Sequence, residues 1–414
     1  MANDVLQDKM TTLFEQVLDG TENKMQLTKS LQTFDMSDLE GQRSDDTMYI
    51  PQEIMVDGGE GIETDDSDVE DIIQRVVPVS RTKAVHAVVD ITTKQLRDEM
   101  FMAKTVAAMS RTLANRADRY AYGQMHTGAS MVSTSAGEIS INDITAIDNK
   151  FDMRGYSAYE RKAFYSPTDY ESLTDAFAGK TYSDKRTTDA IERSMLQPIV
   201  GRFESYKADY NVSFAAASVT TGITVTANTS HTPSTYTDSS ETVYKDNRVG
   251  TIALSGLTPG DLKVGDKFTI AGVNALNEEP GIKEDTGQLQ EFTIRTIETD
   301  GSVYGISPQI VITGPYRNCT DQAAAAADVT ILNTANSQPS MFFLPESTVI
   351  IPGNLPATDD GITVAQATTA NGLPMRLTKQ YYQGSEKLRL KMLLYFDVSV
   401  VQPQMINLHL SGQS

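Results

Sequence analysis

Apolar residues follow a helical period in two early parts of the chain and fall into short strand-like runs further on. Over residues 1–19 they predict an amphipathic helix that ends at Gly20, and the apolar set is Val5, Leu6, Leu13, Phe14, Val17 and Leu18. Residues 20–46 are polar and rich in Ser, Thr, Asp and Gln. They predict an extended arm that leaves the body of the fold.

Two strand-like runs, at residues 47–51 and 83–90, flank an acidic segment. Pro51 confines the first strand to the edge of a sheet, because proline cannot donate a ladder hydrogen bond. Residues 57–71 carry eight acidic side chains, no basic one and three glycines. The pattern predicts a projecting hairpin that joins the two runs and has a flexible acidic tip.

The strongest helical signal covers residues 93–124, which contain no proline. Thr92 and Gln95 fit a capping box at its start. About 30 residues at a rise of about 1.5 Å each give a helix on the order of 45 Å long. We expect other parts of the fold to lean on this helix through an apolar stripe made of Leu96, Val106, Met109, Leu113, Ala117 and Tyr120.

The stretch TDAFAGKT at residues 174–181 ends like a phosphate-binding loop, but its first position is threonine where that loop needs glycine. The residues before it predict the start of a helix. Ser166 suits the N-cap, Pro167 suits the first turn, and Asp169 lies where exposed N–H groups favour a carboxylate. The Gly-Lys-Thr sequence therefore ends a helix and does not indicate a nucleotide site.

Residues 220–336 differ in composition from the rest of the chain: Ser, Thr and small residues come first, and short apolar runs separated by turn residues follow. These runs predict strands at residues 251–254, 267–270, 292–294 and 309–312. The segment has the size of a domain and predicts a small barrel or sandwich inserted into a mixed α/β body. Within it, residues 231–247 predict an exposed loop. After residue 337 the mixed character returns, with strand patterns at 387–391 and 395–401.

The net charge of −20 and the pI of about 4.6 disfavour tight binding to nucleic acid, which needs a basic surface. Cys319 is the only cysteine, so no internal disulfide forms and a reducing cytoplasm is expected. The acidic N-terminus does not resemble a signal peptide, and no run of 18 apolar residues predicts a membrane span.

The sequence does not bring together the residues that catalysis or metal binding usually needs. The four histidines, His86, His126, His231 and His409, form no HExxH pattern, and a single cysteine cannot form a CxxC motif. The acidic run starting at Asp66 lacks the glycine and glutamate of a calcium-binding EF-hand. We predict no catalytic, cofactor-binding or metal site, although a triad dispersed along the sequence stays open.

Several short motifs, in order, resemble the major capsid (coat) proteins of tailed bacteriophages. The resemblance is strongest to the branch from short-tailed phages. It is carried by Arg43-Ser44 before residues 47–51, by residues 96–99 and 113–115, by YSPTDY at 165–170, by TGITV at 221–225, by Asp246-Asn247-Arg248, and by residues 263–267 and 271–273. The resemblance implies an α+β capsid fold with a long spine helix, a projecting E-loop hairpin, A and P domains, and an inserted all-β barrel called the I-domain.

The domains expected from the pattern and the resemblance are an N-terminal arm at 1–42, the E-loop hairpin at 43–92, and the spine helix with the first part of the P and A domains at 93–219. The barrel covers 220–336, and the remaining A and P parts with the C-terminal strand cover 337–414.

The resemblance implies an icosahedral shell that encloses double-stranded DNA without sequence-specific binding. Its partners would be further copies in pentamers and hexamers, a scaffolding protein and a portal, with room for a decoration protein. We expect subunit contacts at Asp57, Glu60, Glu63, Asp65, Asp66, Asp68, Asp238, Glu241, Lys245 and Asp246, and scaffold contacts at Asp4, Asp8 and Glu15. Two alternatives remain: a β-rich tail or adhesin protein, and a hydrolase with a dispersed site.

Overall fold

The structure is a computed structural model, and it describes residues 2–34, 48–56, 72–79, 83–92, 94–157, 159–178, 199–208, 212–234, 248–298, 301–353 and 363–413. Within these residues the α-helices are α1 Ala2–Lys24, α2 Glu99–Gly128, α3 Ile141–Met153 and α4 Pro167–Ala178. Short 3-10 helices cover Thr28–Ser30, Gln95–Arg97, Pro345–Ser347 and Pro403–Met405.

The described strands are short in the first half of the chain and longer in the second. They are β1 Gln32–Thr33, β2 Met48–Pro51, β3 Val76–Val79, β4 Ala84–Thr92, β5 Met131–Thr134, β6 Arg161–Tyr165, β7 Ile199–Val200, β8 Phe203–Lys207, β9 Ile223–Val225, β10 Gly250–Ser255, β11 Lys267–Leu276, β12 Asp285–Ile297, β13 Val303–Ser307, β14 Asp328–Ile331, β15 Ser340–Phe343, β16 Thr348–Pro352, β17 Thr363–Thr368, β18 Pro374–Tyr382, β19 Lys387–Val400 and β20 Ile406–Leu410.

The chain divides into two compact units. The first unit comprises Met1–Met48, Val79–Gln124 and Thr348–Ser399. The second comprises Tyr49–Pro78, Met125–Ser347 and Val400–Ser414.

The sheet of the first unit has the order β1-β16-β19-β18-β17, and β4 also pairs with β19. Nine residues of β4 run antiparallel to β19, from Thr92 opposite Lys387 to Ala84 opposite Tyr395. The prediction of a strand at residues 83–90 is therefore confirmed, but its partner was wrong. This strand joins the main sheet because Val85, Ala87 and Ile91 alternate onto the buried face.

The predicted end of α1 at Gly20 is also wrong, because the helix continues to Lys24. A Cβ at Gly20 would lie 3.0 Å from Ser110 Oγ, so this glycine permits close approach to α2 and does not act as a C-cap. The arm predicted for residues 20–46 is wrong over its described part. Met25, Leu27 and Leu31 are buried there, and β1 pairs in parallel with β16. Residues 35–47 lie outside the described residues.

Helix α2 begins later than predicted, at Glu99. The capping pair exists, since Gln95 Oε1 accepts hydrogen bonds from Thr92 N and Oγ1, both at 2.9 Å, but it precedes a 3-10 turn. Asp98 caps α2 instead, by accepting from Met100 N at 3.0 Å and Phe101 N at 3.2 Å. The register of the apolar stripe is as predicted where it faces the core, with Met109, Leu113 and Ala117 buried.

The body of the second unit is a mixed sheet of order β5-β20-β15-β6-β8-β7 with α3 and α4. Helix α4 begins as predicted: Asp169 N donates to Ser166 Oγ at 3.3 Å, and Pro167 is the first residue. Its apolar face packs into a core that includes Phe151, Leu173 and Phe342. Residues 179–198, which include the end of the Gly-Lys-Thr stretch, lie outside the described residues.

The inserted module is a closed barrel of order β10-β13-β12-β11-β14-β9. Its core is formed by side chains between Ala217 and Ile331, including Phe268 and Phe292, whose rings are tilted by 31° with centroids 5.6 Å apart. Residues 309–312 do not form the predicted strand. They follow Pro308 and are buried as a loop in which the Ile310 carbonyl accepts from His231 N at 2.7 Å and the Val311 carbonyl accepts from Asn318 N at 3.1 Å.

The hairpin predicted after residue 47 is formed by β2 and β3, which make a two-stranded sheet. Its tip, residues 57–71, lies outside the described residues. Among the helices of the described part of the chain, none combines the length and apolar character of a membrane span.

Candidate functional site

The arrangement most like a catalytic triad is Ser135, His409 and Asp169. Ser135 Oγ lies 3.1 Å from His409 Nε2, but the same oxygen donates to the Gly137 carbonyl at 2.7 Å. The imidazole must then donate to the serine, so it cannot act as the base that activates it. Asp169 accepts from Ser340 Oγ at 2.5 Å and Ser411 Oγ at 2.7 Å and does not orient the ring. This geometry does not create a nucleophile.

Two other histidines, His231 and His126, are held by structural contacts, and His86 is exposed on β4. His231 lies between two barrel segments, 3.0 Å from the backbone of Thr251 and 3.1 Å from Ile310 N. His126 packs edge-on against Phe214 at 4.5 Å, and burial lowers its pKa to about 3. Within the described ranges, no cluster of three or more His, Cys, Asp or Glu residues could hold a metal ion.

A buried ionic cluster joins the barrel to α3 inside the second unit. Glu291 of β12 accepts from Lys150 Nζ at 2.5 Å and from Arg154 Nη2 at 2.7 Å, and Arg154 Nη1 donates to Gln290 at 2.7 Å. These four residues are all at most 7% exposed. A buried carboxylate between two cations contributes little net stability but penalises any other arrangement by leaving charge unpaired. The cluster therefore fixes the orientation of the barrel on this helix.

Two further basic residues fasten the barrel to the body. Lys267 Nζ donates to the Ala129 carbonyl and to Thr293 Oγ1, and burial lowers the pKa of this lysine. Arg248, which follows the predicted loop, donates to the carbonyls of Val400 at 3.2 Å and Val401 at 2.6 Å.

The base of the hairpin is attached to the barrel through Tyr316. The Arg75 guanidinium lies 4.5 Å from the centre of the Tyr316 ring and donates to Gln309 Oε1 at 3.0 Å. The Tyr316 hydroxyl donates to the Ile73 carbonyl at 2.8 Å. Beside this contact lies a cavity of about 290 Å³, which we call the hairpin-base cavity.

In the first unit, Asp118 of α2 holds the segment after α1. One oxygen accepts from Gln26 N at 3.0 Å, and the other accepts from Thr28 N at 2.9 Å and Thr28 Oγ1 at 2.5 Å. The carboxylate is 2% exposed. It therefore fixes the N-terminal segment on the long helix.

Most of the predicted contact residues lie outside the described residues. This holds for Asp57, Glu60, Glu63, Asp65, Asp66, Asp68, Asp238, Glu241, Lys245 and Asp246. The backbones of Asp4 and Asp8 lie in α1, but their side chains are not described. Glu15 is exposed on the same helix. The sequence interpretation missed Glu291, Arg154 and Asp118, since no local motif distinguishes a charged residue on a helix or strand that pairs with a residue far along the chain.

The sequence pattern of the family described as "P22 coat protein - gene protein 5" matches residues 1–412 of this chain. Similar solved structures include one from Mycobacterium phage Che8, with 6% identity, a TM-score of 0.45, and coverage of 93% of this chain and 90% of the other. The mature capsid of bacteriophage PhiM1 has 8% identity, a TM-score of 0.45, and coverage of 93% and 86%. The capsid of Ralstonia phage GP4 has 7% identity, a TM-score of 0.43, and coverage of 93% and 88%. No curated protein matches the chain.

The long helix, the hairpin, the mixed sheets and the inserted closed barrel define a tailed-phage capsid protein of the α+β class. The chain belongs to the P22 coat protein family, since that pattern spans nearly all of it. It is therefore a phage major capsid protein, which self-assembles into an oligomeric shell and resides in the virion capsid.

Proposed function

We propose that this capsid protein assembles in the host bacterial cytoplasm as a procapsid, on a scaffolding protein and around a portal. Pentamers and hexamers of the chain form the shell, which encloses double-stranded DNA without reading its sequence. A decoration protein is compatible with this scheme. In this scheme the protein has no enzymatic activity, which agrees with the hydrogen bonds of Ser135 and His409.

Exposed apolar side chains at the hairpin base carry the proposal. Ile54 is 49% exposed, Val56 is 60% exposed and Ile72 is 67% exposed, and all three flank the acidic segment 57–71. Exposed apolar clusters are typical of surfaces that bind another protein. In a shell, a neighbouring copy would cover them, and many weak contacts of this kind would act together.

We propose two further contacts from charge. The acidic residues of α1, Asp4, Asp8 and Glu15, would receive a basic segment of the scaffolding protein. The charged residues of the barrel loop, Asp238, Glu241, Lys245 and Asp246, would meet a neighbouring subunit. With the proposed domain boundaries, the scaffold contact lies in the N-terminal arm at 1–42 and the contact with a neighbouring subunit lies in the barrel at 220–336.

The scaffold contact is tested by neutralising α1 without shortening it. Deleting residues 1–19 would remove the buried Leu13, Phe14 and Val17 and perturb the core. The variant Asp4→Asn, Asp8→Asn, Glu15→Gln keeps these contacts. We expect it to remain folded, as judged by circular dichroism, and to give several-fold fewer closed shells when coexpressed with the scaffolding protein.

The control neutralises three exposed acids in and before α4, Glu160→Gln, Glu171→Gln and Asp175→Asn. Electron microscopy and sedimentation would count the shells of both variants. Equal shell yields for the α1 variant and the control would disprove the scaffold contact. Wild-type protein that forms only small monodisperse particles would disprove the assembly scheme as a whole.

A further inference from the structure

The hairpin-base cavity is lined by five parts of the second unit, two of which contribute Tyr316 and the residues Gln402, Gln404 and Met405. Glu53 and Ile54 come from the hairpin, Tyr156 and Tyr159 come from the turn after α3, and Glu278 with Glu279 comes from the turn after β11. At about 290 Å³ it is smaller than most pockets for drug-sized ligands, which span about 300–1,000 Å³. The volume suits one long side chain.

The base of the cavity holds a buried carboxylate that is only half satisfied. Glu278 is 6% exposed, and its Oε2 accepts from the Tyr156 hydroxyl at 2.7 Å. Its Oε1 is buried and finds no hydrogen-bond partner among the described residues. A buried carboxylate oxygen without a donor is energetically unfavourable. A cation at the mouth of the cavity would offset the negative charge of Glu278 without contacting this oxygen.

Acidic side chains also lie at the rim of the cavity, and two cations lie nearby. Lys283 Nζ donates to the Glu278 carbonyl at 3.3 Å, and the charge of Arg154 acts on Tyr156. Glu53 and Glu279 are exposed at the rim. Burial and the charges of Glu53, Glu346 and Glu279 raise the pKa of Tyr159. The one cationic lining residue, Arg75, is already engaged with Gln309 and Tyr316.

The chain itself offers a complementary segment in its first unit. The hairpin of β18 and β19 carries Arg376, Lys379, Lys387, Arg389 and Lys391 between residues 376 and 391, against one acidic residue, Glu386. Arg389 pairs with Asp90 at 2.7 Å. Lys387 is exposed, and Tyr381 near the same turn is 53% exposed. We call this segment the basic hairpin.

We propose that the hairpin-base cavity receives a basic side chain from the basic hairpin of a second copy, with Lys387 as the inserted residue. The ammonium group meets the rim glutamates Glu53 and Glu279, next to the buried Glu278. This inference rests on the proposed function, because it requires copies to meet in a shell.

Intermolecular disulfide trapping tests this contact directly. The native Cys319 is fully buried, and burial raises the pKa of its thiol to about 12, so it does not interfere. Two populations, one with Glu279→Cys and one with Lys387→Cys, are mixed before assembly and then oxidised. Any disulfide between the two variants must join different copies. We expect at least a five-fold excess of the mixed dimer over the control on a non-reducing gel.

The control pair replaces Glu279→Cys by Glu298→Cys, an exposed glutamate at the end of β12 that does not line the cavity. A second measurement uses charge reversal. Glu279→Lys and Lys387→Glu are each expected to reduce the yield of closed shells at least three-fold, and their combination is expected to restore it.

The outcomes separate this inference from the proposed function. If wild-type protein forms closed shells but the mixed dimer does not exceed the control, the cavity contact is wrong and the assembly scheme stands. The cavity contact is also wrong if the double charge reversal assembles no better than the single variants. Alkylation of Glu279→Cys gives a further check: protection by the scaffolding protein alone, and not by a second copy, would contradict the contact. If wild-type protein forms no shells, both proposals fail.

Discussion

Glu291 shows how a single residue changes meaning once it is folded. In the sequence it is one acid in an alternating strand, whereas in the fold it lies between Lys150 and Arg154 with almost no access to water. Gly20 also has a role in the fold that its residue type does not indicate. It has the residue type of a helix end, yet it lies inside α1, where a Cβ would come within 3.0 Å of Ser110 Oγ. In both cases a residue more than 80 positions away decides the role.

At this scale we predict that His126 makes the protein sensitive to acid. Burial lowers its pKa from 6.5 to about 3. The folded state therefore favours the neutral ring, and this stability is present above pH 6.5 and is lost as the pH falls toward 3. The shift corresponds to a loss of about 2 kcal/mol between pH 7 and pH 5. Urea unfolding of wild type and His126→Leu at both pH values would measure it.

The control for this prediction is Phe214→Leu, which removes the ring contact with His126 but leaves the titrating group in place. It should lower the free energy of unfolding at both pH values and keep the pH dependence. A His126→Leu variant with the same pH dependence as wild type would contradict the assignment.

At the scale of elements, local signals located the start of α4 but not the partners of strands. Ser166, Pro167 and Asp169 predicted the start of α4 correctly because a helix cap involves only neighbouring residues. The pairing of β4 with β19 joins residues about 300 positions apart, and hydrophobic alternation cannot identify such a partner. The residues of β19 were predicted as strands, at 387–391 and 395–401, but nothing in their pattern indicated that they pair with β4.

We predict at this scale that Asp118 holds the segment after α1. Replacing it by Ala leaves the amides of Gln26 and Thr28 without their acceptor, which should lower the free energy of unfolding by about 2–4 kcal/mol. The amides of residues 25–31 should exchange with deuterium at least ten-fold faster. Asn115→Ala, an exposed change on the same helix, is the control and should alter neither quantity. Unchanged exchange in Asp118→Ala would show that other contacts hold the segment.

At the scale of the whole molecule, the closed barrel has a core built almost entirely from its own residues. We therefore predict that a fragment of residues 220–336 folds alone and unfolds cooperatively. A disordered spectrum for the fragment would contradict this prediction.

The ionic cluster provides a matched test of how the barrel is attached. In the full chain, Glu291→Gln leaves Lys150 and Arg154 buried without a counter-charge and should destabilise the protein by about 3 kcal/mol. In the isolated fragment both cations are absent, so the same substitution should have little effect on stability. Equal effects in the two backgrounds would show that the cluster does not couple barrel and body.

The sequence by itself determined the classes of element, the inserted β-rich module, the start of α4, the long helix and the resemblance to capsid proteins. The elements and the module depend on periodicity, capping and composition, which are local properties of the chain, and the resemblance depends on short motifs and their order. Only the tertiary structure decided which strands pair, why Gly20 lies inside a helix, and which charges are buried. Those features depend on contacts between residues far apart in the chain, and no local pattern records which distant residue will supply the contact.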